Sequence, residues 1–505
     1  MASAVVIGAG LGGLAAVARL AKVGYRVTLV EQNAQPGGRT SVIEGDGFRF
    51  DTGPTLLLMP AVFAETYKAL GEKMTDHLEL ANVDPTYRIH FSDETSIDLT
   101  HNLLEMRKQL ESIEKGSFGP FLSFMAEGYR HYYVSLDRFV GRNFRSLPEY
   151  FSPANLPLIL QLKALEKHYT NTARYFRSPK LRAAFSFQNM YLGVSPFDAL
   201  ATYSLLQYTE LGEGVWFPKG GLYRVVESFA KIAASLGVEI RYNSPVTWIE
   251  TQGNEAQGVV LADGERIKAD VIVANADLPY VYANLLPNDG MSARLNKLKY
   301  TSSALMFYWG VKGEPTKLLK HHNVFLAEHR YRQSFDRIFR DLTLPDDPSF
   351  YICAPTRTDS SFAPPDSDSL MILVPVGHLN EKKPQDWAAL QKRAKDSVLE
   401  RLAKLGLGDL KDQITFEATL GPQDYSKLNL VKGSAFGLSH NFLQVGYLRP
   451  QNRHARYRNL YFAGASTHPG TGLPLVLLSA QLVVERILQE QTIPQSKVVL
   501  KPNFR

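Results

Sequence analysis

The stretch Ala4-Val5-Val6-Ile7-Gly8-Ala9-Gly10-Leu11-Gly12-Gly13-Leu14, followed by Arg26-Val27-Thr28-Leu29-Val30-Glu31, decides the fold of the chain. Residues 4–7 are short, apolar and mostly β-branched, the pattern of a strand buried in a parallel sheet. Helix formers from Leu14 to Lys22 predict a helix that Gly24 stops, and Arg26–Val30 predicts a second strand ending at Glu31. A glycine triplet alone says little. Set between strand and helix, with an acid about twenty residues on, it is a dinucleotide fingerprint. Gly8 makes the tight turn, Gly10 lets the backbone approach a pyrophosphate, and Gly13 lets helix and strand pack closely. The helix N-terminus offers free N–H groups to phosphate, and Glu31 is placed to accept ribose hydroxyls.

The pattern continues past Glu31. Gln35-Pro36-Gly37-Gly38-Arg39-Thr40 supplies a second anion-binding turn, and Phe48-Arg49-Phe50-Asp51-Thr52-Gly53-Pro54 follows closely. A nicotinamide enzyme has no need of this extension. Its spacing resembles the flavoproteins related to amine oxidases, which implies FAD as cofactor and adds Gly38, Arg39, Gly53 and Pro54 to the expected binding residues.

A length of 505 residues exceeds one small core and predicts two or more lobes. With 45% hydrophobic and 21% charged residues the chain is of ordinary globular type. Its single cysteine, Cys353, excludes an internal disulfide, a redox cysteine pair and a thiolate metal cluster, and no metal site is expected. The net charge of +6 suits either simple solubility or contact with anionic lipid. No dense basic run suggests nucleic acid. The N-terminus lacks the basic leader and unbroken apolar core of a signal peptide, and no run of about eighteen apolar residues predicts a transmembrane helix. The expected location is the cytoplasmic side.

From Pro60 to His168 helical patterns dominate and aromatics are frequent, which predicts a helical lobe. Within it Phe151–Leu162 is a short apolar element beside Lys163 and Lys167. It is too short to span a bilayer, and it fits either the interface or the lobe's core. Gly220-Gly221 makes a turn before a helix from Tyr223 to Leu236. Val246–Glu250, where Val246 is an expected cofactor contact, Gly258–Leu261 and Glu265–Lys268 suggest a strand series, and residues 270–277 form a buried strand returning to the first sheet. Residues 304–311 and 370–376 predict strands of a second sheet forming one wall of a substrate cavity, and Asp386 begins a helix to Lys404. Residues 459–464 make a last strand into glycine. Gly470, Gly472, Leu473 and Pro474 open a final helix in a second strand–turn–helix unit.

With the fingerprint and Gly37-Gly38-Arg39, the segments Gly214-Val215-Trp216-Phe217-Pro218-Lys219-Gly220-Gly221, Asn275-Ala276-Asp277 and Gly464-Ala465-Ser466-Thr467-His468-Pro469-Gly470-Thr471-Gly472-Leu473-Pro474 resemble the carotenoid desaturases of the bacterial and fungal phytoene desaturase type. Residues 190–196 and 203–210 lean toward the fungal branch. The resemblance implies an α/β fold: a Rossmann-type FAD-binding domain of the amine-oxidase kind, an inserted mixed-sheet substrate domain and a helical, membrane-facing lobe. The expected division is 1–70, 212–280 and 425–490 for FAD, 71–211 and 281–424 for substrate, and 491–505 as a tail. The implied activity is FAD-dependent desaturation of phytoene toward lycopene, with a long apolar polyene as substrate and quinone or oxygen as electron acceptor. Other carotenoid oxidoreductases (a later desaturase, an oxygenase or an isomerase) and a non-catalytic prenyl-lipid escort are the competing readings. Ala465 stands where many amine-oxidase relatives carry an acid, as in the carotenoid branch. The polar residues Gln495–Arg505 predict that the apolar C-terminal anchor of fungal members is absent. No catalytic base is legible; Asp137, Arg138 and His468 are the weak candidates.

Overall fold

The structure is a computed structural model and describes residues 1–313 and 318–491. The expected tail at 491–505 thus lies, apart from Gln491, outside the described residues. The strand Ser3–Ile7 pairs in parallel with Arg26–Val30 on one side and Val271–Ala274 on the other. Glu239–Arg241 and Leu460–Phe462 complete a five-stranded, all-parallel sheet at its two edges. Both ends of the chain thus enter one sheet, as the two strand–glycine units predict.

The apolar–polar alternation of a half-exposed strand is absent from Ser3–Ile7 and Val271–Ala274, because both faces of the sheet are covered. On one face the helix Leu11–Lys22 packs with Tyr223–Ser235 and Leu473–Glu490 into a single core. Ala15, Ala16 and Ala18 are fully buried at that junction, where small side chains let neighbouring helices approach closely. On the other face the antiparallel strands Val246–Gln252, Glu255–Leu261 and Arg266–Lys268 pack through Ile249, Val259 and Leu261.

A second sheet has seven strands in the order Ile414–Leu420, Ser303–Lys312, Ser367–Val376, Phe350–Cys353, His322–Phe325, Tyr87–His90 and Ser96–Leu99. Ala394, Val398 and Leu402 of the helix Trp387–Lys404 cover one face. Asp386 caps that helix, its carboxylate accepting from Ala389 N at 3.0 Å. The last two strands of the sheet, Tyr87–His90 and Ser96–Leu99, fall inside the stretch read as helical. They alternate apolar and polar residues over only four positions, and the neighbour of the first, His322–Phe325, lies far along the chain, so the local pattern carries no register. A third strand in that stretch, Leu80–Val83, pairs antiparallel with Val215–Pro218, again a distant partner that the local pattern does not reveal; helices make up most of the remainder. Phe118–Ser135 runs into a π-turn at Leu136–Val140, followed by the short helices Leu147–Tyr150 and Leu156–Gln161. Gly128 lies where a Cβ would stand 2.6 Å from the Ser204 carbonyl, so glycine permits the close approach of Phe118–Ser135 to the segment before Leu205–Leu211.

Candidate active site

One cavity of about 710 Å³ runs from the glycine turns of the parallel sheet into the helical lobe and along the second sheet. Its volume lies within the range of small-molecule sites, which are concave and mostly apolar.

At the sheet end the two strand–turn–helix units meet on one side chain, Asn275. A Cβ on Gly10 would stand 2.9 Å from Asn275 Oδ1, and one on Gly12 or Gly464 would stand 2.7 Å from its Nδ2. Asn275 Nδ2 donates to the Ala463 carbonyl at 3.1 Å, tying the N-terminal turn to the C-terminal one. Gly13 sits behind the turn rather than on the cavity: a Cβ there would lie 2.0 Å from the Gly8 carbonyl oxygen, the close packing the fingerprint requires. Gly8, Gly10 and Glu31 line the cavity. Glu31 is 5% exposed and already accepts from Ala9 N at 2.7 Å and from Asn33 N at 2.9 Å and Nδ2 at 2.8 Å. Oε1 is filled by the two Asn33 bonds, while Oε2, with one bond, retains an acceptor site for a hydroxyl.

The second anion-binding turn folds back onto the first, with Gly37 N donating to the Ala9 carbonyl at 2.9 Å. Gly38, Arg39, Gly53 and Pro54 line the cavity, as does Val246. Arg39 faces Asp277. Burial draws the guanidinium below its ordinary range while the Asp277 charge opposes the change. Burial likewise raises Asp277, against Ser466 Oγ, which donates to its carboxylate, and the Arg39 charge. Asp51 bridges two motifs that sequence treats separately. Its carboxylate accepts from Leu222 N at 2.8 Å and Tyr223 N at 3.2 Å, at the start of the helix Tyr223–Ser235. Burial outweighs those two bonds and raises its pKa to about 6.

In the C-terminal turn Gly464, Gly472, Leu473 and Pro474 line the cavity. Gly470 does not; it backs onto His440, where a Cβ would lie 2.7 Å from Nε2. Arg449, 1% exposed, carries a charge answered by carbonyls. It donates to Thr467 O at 3.0 Å, Ser439 O at 3.1 Å, Gln444 O at 3.0 Å, Leu438 O at 3.4 Å and Ala465 O at 2.6 Å. Burial lowers its pKa to about 10. No motif marks Arg449, because its acceptors are backbone atoms.

The three catalytic candidates separate. His468 lines the cavity, but its Nε2 is 3.0 Å from the Arg142 carbonyl and burial lowers its pKa to about 4. A neutral imidazole therefore donates to that carbonyl and anchors the loop. Asp137 and Arg138 sit on the π-turn Leu136–Val140 outside the cavity lining, with Asp137 exposed; Leu136, Phe139 and Val140 turn inward instead. These two are not placed to touch a molecule in the cavity.

The lobe end is apolar. Ala304, Met306, Met371 and Leu373 of the second sheet form one wall, and Phe139, Tyr150 and Leu162 of the helical lobe line it as well. The expectation that this sheet forms a cavity wall therefore holds. The fold also gathers His321, His322 and Cys353, all buried, with donor atoms within 4.8 Å of one another. Burial keeps both imidazoles neutral and raises the thiol.

The glycine cradle, the buried Glu31 on the cavity lining and the Arg39 turn fit a flavin dinucleotide. Residues 11–488 match the family model of flavin-containing amine oxidoreductases. The zeta-carotene-forming phytoene desaturase of Myxococcus xanthus is 47% identical over 487 residues, covering 96% of this chain and 93% of that protein. The phytoene desaturase of Neurospora crassa is 44% identical over 516 residues, covering 98% and 86%. Among solved structures, putrescine oxidase with bound putrescine superposes with a TM-score of 0.62 at 14% identity, covering 97% of this chain and 99% of that one. Rab GDI of Plasmodium falciparum gives 0.57 at 12% identity, covering 97% and 99%. At those identities the likeness is one of fold. FAD is the cofactor and the protein is an FAD-dependent oxidoreductase. The chain belongs to the flavin-containing amine oxidoreductases, in their branch of bacterial and fungal phytoene desaturases.

Proposed function

We propose that this enzyme introduces double bonds stepwise into phytoene, giving lycopene or a related, more desaturated carotene. The carrying observation is the continuity of the cavity: its apolar lobe end opens directly onto the dinucleotide cradle, so a long polyene reaches the cofactor without crossing water. When bound, FAD supplies the two-electron oxidising chemistry. In this reading Glu31 accepts ribose hydroxyls, Arg39 and the N-terminus of Leu11–Lys22 hold phosphate, and the apolar walls position the substrate and exclude water. Gly8, Gly10, Gly38, Gly53, Pro54, Val246, Gly464, Gly472, Leu473 and Pro474 shape the cofactor's bed, and Gly13 and Gly470 support it from behind. The division into a discontinuous cofactor domain (1–70, 212–280, 425–490) and a substrate lobe (71–211, 281–424) belongs to the same reading. Quinone or oxygen takes the electrons.

The lobe also supplies a membrane contact in this reading. Leu156 and Leu160 on the helix Leu156–Gln161 are 46% and 70% exposed, and Leu165 is 69% exposed. Leu158 and Ile159 pack inward on Phe139, Phe144 and Leu162, and Phe139 and Leu162 line the cavity. Lys163 is engaged by Glu127 and Asn171, and Lys167 by the Asp198 carbonyl, so the contact rests on leucines more than on these lysines. No described helix is long and apolar enough to cross a membrane.

Expression in a colourless bacterium that accumulates phytoene tests the function. Coloured carotenes in the pigment extract support it, and their chromophore length counts the steps. Unchanged phytoene beside FAD-loaded protein overturns it.

A further inference from the structure

Beside the apolar cavity lies an acid that the cofactor chemistry does not use. Glu210 is 1% exposed, and its partners are phenols and an amide rather than cations. Tyr87 OH donates to Oε1 at 3.1 Å and Gln188 Nε2 to Oε2 at 3.1 Å. Tyr87, itself fully buried, is 2.6 Å from Tyr191 OH, and Tyr191 lines the cavity. An ionised carboxylate can only accept. Tyr87 therefore donates to Glu210 and accepts from Tyr191, which leaves the lone pairs of the Tyr191 oxygen free of that chain. The donors thus run one way, from cavity to acid.

We propose that Tyr191–Tyr87–Glu210 is the route by which the proton released at each desaturation leaves the cavity, with Glu210 as terminal acceptor. This rests on the desaturase reading above. A new double bond removes two hydrogens from adjacent carbons. One departs with its bonding electron pair, the two-electron oxidation that FAD supplies. The bonding pair of the second C–H becomes the π bond, and that hydrogen departs as a proton. An O–H bond forms at Tyr191 as its own proton passes to Tyr87 and that of Tyr87 to the Glu210 carboxylate. After product leaves, Glu210 returns the proton through Tyr87 and Tyr191 to water entering the emptied cavity, which carries it to bulk solvent and resets the carboxylate.

The surroundings suit this role. Burial, against the hydrogen bonds from Gln188 and Tyr87, raises the Glu210 pKa to about 8, so the acid releases its proton near physiological pH. The other titratable groups facing the chain are Tyr351 and His322. Tyr351 OH bonds Thr55 Oγ1 at 2.8 Å and His322 Nδ1 at 2.6 Å, and the His322 ring lies 5.7 Å from that of Tyr87. Burial keeps His322 well below and Tyr351 well above their ordinary ranges, so both are uncharged. Thr55 follows the Gly53-Pro54 turn, which places this group at the cofactor end of the cavity.

The test uses FAD-loaded wild type, Glu210→Gln and Tyr191→Phe on phytoene in liposomes, from about pH 6 to 9. Wild-type turnover is expected to rise with pH and level off above about 8, since the carboxylate is the active form. Glu210→Gln keeps the shape, an acceptor for Tyr87 and the FAD content, although its NH2 meets the Gln188 Nε2 donor; it loses turnover by about 10²-fold or more, together with the pH-dependent limb. Tyr191→Phe does the same. Infrared difference spectra of wild type minus Glu210→Gln, taken without substrate, show a carboxyl group titrating near pH 8. Turnover with an unchanged pH limb in Glu210→Gln overturns the relay even if the rate falls, because a merely structural role would leave the limb in place. Wild-type enzyme that leaves phytoene unchanged overturns the desaturase reading itself, and the relay with it.

Discussion

Gly53 shows how little freedom the cofactor bed has. A Cβ there would stand 2.0 Å from the Arg39 carbonyl oxygen, a backbone atom that cannot swing aside. Gly53→Ala is expected to lose most bound flavin and to cost about 1–3 kcal/mol of stability, read from the FAD absorbance per protein and the unfolding midpoint. Arg39→Ala removes a charge rather than adding bulk. If Arg39 binds phosphate, FAD affinity falls about 10- to 100-fold, the value of a charged hydrogen bond of roughly 1.5–3 kcal/mol, and flavin titration into the apoprotein measures it. These two positions are legible in sequence because turn glycines and an adjacent arginine are local. Glu210 and Arg449 are not. Glu210 acts through Tyr87, 123 positions away, and the Arg449 hydrogen bonds go to carbonyls, which every residue carries.

Among the elements, the strand–turn–helix at each end of the chain was readable because each carries its own boundary signals: Gly24 after the first helix, Pro474 at the start of the last. The strands Tyr87–His90 and Ser96–Leu99 were not, since a four-residue alternation acquires its meaning only from a partner. The π-turn Leu136–Val140 buries Leu136 and Phe139 and leaves Asp137, a weak catalytic candidate in the sequence, exposed. The helix Leu156–Gln161 invites a direct test. Leu160→Asp with Leu165→Asp should abolish sedimentation with vesicles and slow turnover of membrane-borne phytoene. Stability should change by no more than about 0.5 kcal/mol, because both side chains are largely exposed. Vesicle binding equal to wild type would remove this helix from the membrane reading.

For the molecule as a whole, burial sets the response to acid. His90, His168 and His468 each have their pKa lowered from 6.5 to about 4. The unfolded chain takes up these protons as pH falls through 6.5, while the native state refuses them until about 4. Stability is therefore lost across that window, each histidine contributing about 1.4 kcal/mol for every pH unit crossed. Glu210 has the opposite sign. Its raised pKa penalises the native state above about pH 8 and the penalty disappears as pH falls toward 4.5, so the stability change caused by Glu210→Gln should be more favourable at pH 9 than at pH 5. Thermal unfolding across pH reads both effects. At this scale the fold was largely legible and the route of the cavity was not, since its walls come from segments that sequence cannot place side by side. One contact spans that distance most sharply. Asn275 stands 2.7 Å from where Cβ atoms would lie on Gly12 and on Gly464, residues near opposite ends of the chain. Neighbours sharing one obstacle do not add independently. Gly12→Ala should be tolerated far better after Asn275→Ala than before it, so the order in which substitutions arrive, and not merely their sum, decides which descendants of this sequence still fold.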